Sequence, residues 1–564
     1  MEVDENLVTS NVGGSVWQVD DMKRLHRFLV LGSESPTYYI TDGELQKENA
    51  RVVSNLMQAG RGVEVVNEIR EYSVKGRTIK QNPIMFALAL CARQGDLATK
   101  RRAYEVLPEV CRIPTHLFMF VGLCEKHSIP APGAGPNATA TGWGRAHRKA
   151  IKKWYITKCK KPLALAMNVT KYQKREGWSH RDVARLMHLN PTGTDVTRLV
   201  GPEEPENFSD GLSIIMKYIA RGWSEVTETY ANRVANQEIG PDARNVFNFL
   251  KAVEDVKTMT AENESDIIDL ILQFHLVREH IPTSCLSLIG VWRALLTNMP
   301  MMAMIRNLGK MTSVGLLCEG GAELTQVCAK LKDHKLLRNA RIHPFNALVA
   351  MKTYMDGHGD RGKLRWKPIQ KIVDALESAF YFSFKLVEST KKRYLLALDV
   401  SRSMSYVGVV GSPCITPRVA SAAMSMVVAK TEETHNFVAF SHKIEPLVID
   451  RDMSLDDVLL NLEQIKMGGT DCALPMLYAI EKNLKVDVFV VYTDCETMAG
   501  PTHPANALRL YREHSGIRDA KLIVVAMTSN GFTIADPDDQ GMFDIVGFDA
   551  EAPNVMREFI LGNI

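Results

Sequence analysis

The chain lacks several features that would assign it quickly. No apolar run approaches the length of about 20 residues that a bilayer-spanning helix needs, so no membrane segment is expected. The sequence opens on the acidic Met1-Glu2-Val3-Asp4-Glu5 with no apolar h-region behind it, so no secretory signal is expected either. Its ten cysteines include no Cys-x-x-Cys pair, and no histidines cluster at zinc spacing. They are expected to be reduced, mostly buried thiols of a cytoplasmic protein, with nuclear visits left open, and the sequons at Asn137, Asn168, Asn207 and Asn263 are expected to stay unglycosylated. No Walker loop, nucleophile–base pair or zinc-deaminase pattern appears, which argues against an enzyme.

What is present is an ordinary globular composition, 46% hydrophobic and 24% charged, in a chain of 564 residues that is too long for one core. The net charge of +3 hides an asymmetry. From Lys391 to Ile564 there are 16 Lys and Arg against 23 Asp and Glu, a balance of −7, which leaves +10 on residues 1–390. A basic body joined to an acidic C-terminal part points to a polyanionic partner for the body.

From about Asp20 to Val387 apolar residues recur at three and four spacings, as in Ile84, Leu88 and Cys91, or Val246, Phe249, Leu250 and Val253. This predicts a stack of antiparallel helices whose repeats are degenerate, because no fixed period is evident. Pro130–Pro136 reads as a surface loop, and Asp356–Gly362 as a hinge near a domain boundary. After Lys392 apolar strand runs at Tyr394–Val400, Asn436–Phe440, Val486–Thr493 and Lys521–Thr528 alternate with helical segments at Pro417–Lys430, Leu455–Gln464, Asp471–Asn483 and Pro504–His514. That alternation predicts a parallel sheet covered on both faces, with ligands beyond the carboxyl ends of its strands.

Two strand ends there bear acids. Asp399-Val400-Ser401-Arg402-Ser403 leaves the first, Tyr492-Thr493-Asp494 ends the third, and Gly468-Gly469-Thr470-Asp471 lies between them in sequence. Asp399, Ser401, Ser403, Thr470 and Asp494 together form a hydroxyl-rich oxygen set suited to a divalent cation, Mg²⁺ by preference. The isolated Asp-x-Ser-x-Ser motif is equally a helix cap at a strand–helix turn, and only its combination with Thr470 and Asp494 favours a metal. The combination resembles the metal-ion-dependent adhesion site of von Willebrand A domains over about residues 390–564. The ion would keep enough positive character to take a carboxylate from an acidic protein ligand, although Arg402 departs from the expected surroundings.

The body contains a second cluster. Between Trp143 and His188 lie 13 Lys and Arg, opposed only by Glu176 and Asp182. Arg145, Arg148, Lys149, Lys152 and Lys153 share a helical stripe, while Arg181, Arg185 and His188 line up on a second helix capped by Ser179, with Val183, Leu186 and Met187 turned inward. Trp143, Trp154, Tyr155, Tyr172 and Trp178 are interleaved with these charges, which favours nucleic acid over a merely solubilising face.

Several stretches resemble the TROVE module of the Ro autoantigen family. They are Trp17-Gln18-Val19 with Leu25-His26-Arg27-Phe28, Cys111–Phe118, Trp143–Ala146, Thr170-Lys171-Tyr172 with Gly177–His180, Arg306–Met311, Ala340–Phe345 and Met527–Asp536. The resemblance implies an α plus α/β protein: a HEAT-like helical-repeat ring (TROVE, residues 17–375, after a lead-in of 1–16), followed by a Rossmann-like, doubly wound von Willebrand A-like domain at residues 385–564. It further implies binding of small noncoding Y RNAs on an outer basic surface. Misfolded noncoding RNAs, such as defective 5S rRNA precursors, would enter a basic hole by an unpaired 3′ end. RNA stabilisation and quality control would follow, by a monomer within a ribonucleoprotein. Lys171, Arg175 and His188 match the RNA-binding positions, with Arg145, Arg148, Lys149, Lys153 and Arg185 in support. The alternative is a metal-dependent assembly scaffold whose basic body docks partner proteins.

Overall fold

The computed structural model describes residues 7–9, 15–17, 20–33, 37–39, 50–78, 80–128, 143–189, 208–359, 363–465, 470–494, 501–528, 535–536 and 539–564. The expected loop at 130–136, the glycines 468 and 469, the end of the expected hinge at 360–362, and parts of the resembling stretches at 17–19 and 527–536 lie outside these residues. The chain forms two compact units, Ala50–Met299 and the combination of Met1–Asn49 with Pro300–Ile564.

The first unit is helical. Gly62–Lys75 packs on Leu97–Val110, Asn82–Gln94 on Pro114–Lys126, and Leu97–Val110 in turn on Arg145–Lys158. Each helix thus meets the next but one, which builds two layers from one amphipathic repeat. Pro83 to Ala92 are buried without interruption, so Asn82–Gln94 is enclosed on every side. Proline opens the helices at Pro114, Pro162 and Pro241, where the missing N–H costs nothing. The Asp96 carboxylate accepts the Thr99 N–H at 2.7 Å and caps Leu97–Val110.

The second unit joins further helices, among them Met301–Ser313, Pro344–Met355 and Gln370–Ser383, to a seven-stranded sheet. At Gly309 the Trp366 ring lies so close that a Cβ would stand 2.6 Å from it, and the Trp366 indole N–H donates to the Tyr354 carbonyl at 2.9 Å. The sheet order is Thr37–Tyr39, Met542–Val546, Lys521–Ala526, Val488–Thr493, Tyr394–Asp399, His435–Phe440 and Ile444–Leu447. All pairings are parallel except the last, which is antiparallel. The four predicted strands and four predicted helices are all found, displaced by at most a few residues at their ends. Three strands of this sheet were not anticipated. Met542–Val546 carries the buried Asp544, and Ile444–Leu447 is an edge strand that tolerates Pro446. Thr37–Tyr39 comes from the far end of the chain, inside the stretch expected to be helical.

A buried ion pair fastens the loop before Met542–Val546. Arg512 and Asp539 meet at 2.6 Å with side chains 11% and 1% exposed, and Asp539 also accepts the Gly541 N–H. Asp539→Ala is expected to destabilise the protein by about 3 kcal/mol or more, because the Arg512 charge would stay buried alone. Chemical denaturation of both proteins tests this, and a loss below about 1 kcal/mol, the range of exposed pairs, would contradict it.

Candidate metal loop and nucleic-acid interface

Strand Tyr394–Asp399 is buried along its whole length and delivers Asp399, 2% exposed, to its carboxyl end. One oxygen of the Asp399 carboxylate accepts the Ser401 N–H at 2.7 Å. The other accepts the hydroxyls of Thr493 at 2.8 Å and Thr470 at 3.2 Å. The Ser401 and Ser403 hydroxyls lie 3.2 Å apart. Burial raises the Asp399 pKa above the usual carboxylate range, with the neighbouring Asp494 charge pushing the same way and the hydrogen bonds opposing them. Asp494 is itself buried, and its Oδ1 has no hydrogen-bond partner.

Two strand ends and the Thr470 segment therefore bring together the oxygens predicted from the sequence. A buried acceptor without a donor, near enough to a second carboxylate for its charge to raise that group's pKa, is what a bound cation would satisfy, so this set fits a hard divalent ion. No group of three or more His, Cys, Asp and Glu suited to a metal occurs among the described residues, in keeping with a set that has only two carboxylates. Sequence reasoning missed the Thr493 hydroxyl, which anchors Asp399 from within the adjacent strand. The Arg402 guanidinium is exposed and lies 5.6 Å from the centre of the Tyr406 ring, where a hydrogen bond to the Tyr406 hydroxyl raises its pKa.

The basic segment lies wholly in the helical unit. Arg145–Lys158 forms one helix, with Arg145 and Lys149 exposed and Arg148, Lys152 and Lys153 half-buried. Lys171 ends the helix Pro162–Lys171, and a tight hairpin follows. Glu176 and Gly177, at φ 53° and 77°, make the left-handed turn that joins Lys174–Arg175 to Trp178–Ser179. The hairpin leaves Lys174 and Arg175 exposed. The Lys171 ammonium and the Arg175 guanidinium both stand over the half-buried Tyr172 ring, at 5.5 and 6.0 Å from its centre. Lys171 also has Glu279 at 3.9 Å.

The Ser179–Asp182 capping box predicted for the next helix is present, and the helix runs from His180 to Met187. Arg181 and Arg185 are exposed along it, Val183 and Met187 are buried, and Leu186 is half-buried rather than fully inward. His188 differs from expectation. It is exposed but stands just past the helix at φ 53°, in the left-handed region, so chain reversal rather than helical spacing sets its direction.

Of the interleaved aromatics, Trp143, Trp154 and Tyr155 are core residues, whereas Tyr172 and Trp178 keep partial exposure. The core also holds histidines. The His180 Nδ1 lies 2.7 Å from the Tyr155 hydroxyl, His280 lies 3.0 Å from the Thr170 hydroxyl, and His147 is surrounded by the rings of Trp143, Phe120 and Tyr104. Burial depresses His147 and His180 to a pKa of about 3, and His116 and His280 to about 4. The sequence patterns did not separate these structural histidines from the exposed His188.

Comparison with known proteins places both halves. The TROVE domain family matches residues 8–353, and the Ro60 vWA domain family matches residues 393–560. A Caenorhabditis elegans protein named RNA-binding protein RO60 is 39% identical over 599 residues, spanning 100% of this chain and 91% of that one. The protein of the same name from Deinococcus radiodurans is 35% identical over 565 residues, spanning 100% of this chain and 97% of its own. The crystal structure of the Deinococcus radiodurans Ro (RSR) protein superposes with a TM-score of 0.82 at 33% identity, covering 97% of this chain and all of that one. With a helical TROVE region followed by a vWA-like domain built on a mostly parallel sheet, the chain belongs to the Ro60 family.

Proposed function

We propose that this protein binds RNA, as the names of its relatives suggest, through the exposed cations of Arg145–His188, and that it catalyses no reaction on it. The observation that supports this most is the pairing of Lys171 and Arg175 around a half-exposed tyrosine, beside Lys174, Arg181, Arg185 and His188. Cations hold phosphates and an accessible ring offers a stacking face, the combination that unpaired RNA needs. The RNA partners proposed are Y RNAs and misfolded noncoding RNAs with an unpaired 3′ end, in a role of stabilisation and quality control. Protein purified from its own cells should retain RNA that RNase releases, with an affinity that falls steeply with salt. RNA-free material that ignores end-exposed transcripts in dilute buffer refutes the reading.

The oxygen set of Asp399, Ser401, Ser403, Thr470 and Asp494 is proposed to hold Mg²⁺, leaving a coordination position for an acidic protein ligand. Asp399→Ala is expected to abolish Mg²⁺ binding measured by calorimetry, while RNA affinity stays within about twofold because the two sets lie in different compact units. Loss of RNA binding in a folded Asp399→Ala protein would contradict that independence. The competing scaffold reading predicts the converse, partner binding sensitive to chelator and indifferent to RNase.

A further inference from the structure

A cavity of about 580 Å³ opens in the helical unit at the start of helix Pro162–Lys171, between it, the helix Pro241–Lys257 and the end of Glu264–Phe274. Its walls are apolar on one side, where Leu163 is 45% exposed although nothing in the fold requires a leucine in water, with Met167 and Phe274 beside it. At its mouth stand the exposed Lys160 and Lys161. Helix Pro162–Lys171 has no side-chain cap at Lys161, and Leu163 and Ala164 of its first turn, whose N–H groups precede the first intrahelical hydrogen bond, line the cavity. Opposite, the exposed Asp242 and Asn245 offer hydrogen-bonding groups.

An apolar wall calls for a flat, weakly hydrated group, the lysines and uncapped helix end call for an anion joined to it, and Asp242 calls for a donor such as an exocyclic amine. An apolar peptide side chain would satisfy the wall and leave the cationic mouth unused. The other end of the same ten-residue helix is Lys171, about 15 Å away at 1.5 Å per residue, a span that a few nucleotides of one bound strand can bridge. From this arrangement we propose that the cavity accepts one unpaired, amine-bearing nucleotide of the bound RNA, with its base against Leu163, Met167 and Phe274 and its phosphate at Lys160, Lys161 and the helix N-terminus. The proposal rests on the RNA-binding reading.

The test uses the full chain and a single-stranded cytidine decamer carrying one 5-iodocytidine. Irradiation is expected to crosslink the decamer to Phe274 or His275. Ala164→Phe, which fills the cavity from an exposed helical position, should remove that crosslink and lower decamer affinity about tenfold, the order expected for losing one stacked base, at unchanged melting temperature. Lys161→Ala, an exposed change that leaves the cavity open, should weaken binding several-fold. Wild-type crosslinks confined to residues outside the cavity, or wild-type affinity in both variants, overturn the proposal, and the latter is the result an apolar peptide occupant would give. A decamer whose binding needs Lys171, Arg175 and His188 but ignores Ala164→Phe refutes this inference alone. A chain that binds no RNA refutes the reading beneath it.

Discussion

Replacing Lys171, Arg175 and His188 together by alanine is expected to lower RNA affinity about a hundredfold or more without moving the melting temperature by more than a few degrees. Hydrogen bonds to charged groups contribute about 1.5–3 kcal/mol each, so the loss of even two such contacts reaches that range. The wild-type side chains give up little to make them. Lys171 gives up a part-exposed pairing with Glu279 at 3.9 Å, a class worth about 0–1 kcal/mol, Arg175 an exposed hydrogen bond to the Lys174 carbonyl at 2.7 Å, and both their places over the Tyr172 ring. Arg175 and His188 are exposed and Lys171 half-buried, and substitutions on such surfaces mostly stay within about 0.5 kcal/mol of neutral. The salt dependence separates the roles further. Removing two phosphate-neutralising cations should flatten the plot of log affinity against log salt by about 1.4–1.8, at 0.7–0.9 per phosphate. Anisotropy titrations of a Y-type hairpin RNA and of a 3′-tailed duplex, each at several salt concentrations, measure both effects. Unchanged affinity, or reduced affinity with an unchanged slope, would remove these residues from the interface.

How far the sequence could be read follows from which forces act locally. Strand–helix alternation in the C-terminal half is written in contiguous apolar runs, so the strands ending at Asp399 and Thr493 were visible, and with them the convergence of Asp399 and Asp494. The capping box of Ser179 and Asp182 was equally visible, because it depends on residues three apart. What escaped was decided at long range. Thr37–Tyr39 is three residues long and becomes a strand only by pairing with Met542–Val546, some 500 positions away. Asp544 disguises its own strand, since its carboxylate is buried to accept the Ala535 N–H at 2.8 Å. The interleaved tryptophans and tyrosines were ambiguous because an aromatic serves core and stacking surface equally well. Only packing shows that Trp154 donates inward to the Cys111 carbonyl at 2.6 Å while Tyr172 stays under two cations. His188 was placed on its stripe by helical spacing, yet the helix ends one residue earlier, a boundary that spacing does not resolve.

Acid should loosen the helical unit well before carboxylates are neutralised. His147, His180 and His280 are buried and His116 is half-buried, all uncharged, with pKa values of about 3 to 4 against an ordinary 6.5. The unfolded chain therefore binds more protons than the native one from about pH 6.5 downward, and stability falls with pH until the folded-state pKa values are reached. At pH 5 each histidine should forfeit about 2 kcal/mol, 1.5 pH units at 1.36 kcal/mol per unit. Four of them approach the whole stability of about 5–15 kcal/mol typical of a domain. The depressed carboxylates of this unit act in a lower window: Asp182, held down first by its hydrogen bond to Ser179, loses its contribution only below its ordinary value of 3.8. The melting temperature of the Ala50–Met299 unit should therefore drop by roughly 15 °C or more between pH 7.5 and 5, at about 2–4 °C per kcal/mol. His147 isolates one contribution, since its Nδ1 has no hydrogen-bond partner and its neighbours are the rings of Trp143, Phe120 and Tyr104. His147→Phe keeps a ring in that space and removes one titration, so its melting temperature should fall less steeply with acid and exceed that of the unsubstituted protein at pH 5. Scanning calorimetry from pH 7.5 to 5 decides the matter: a flat profile would mean that these imidazoles reach water or a counter-charge that their packing does not provide.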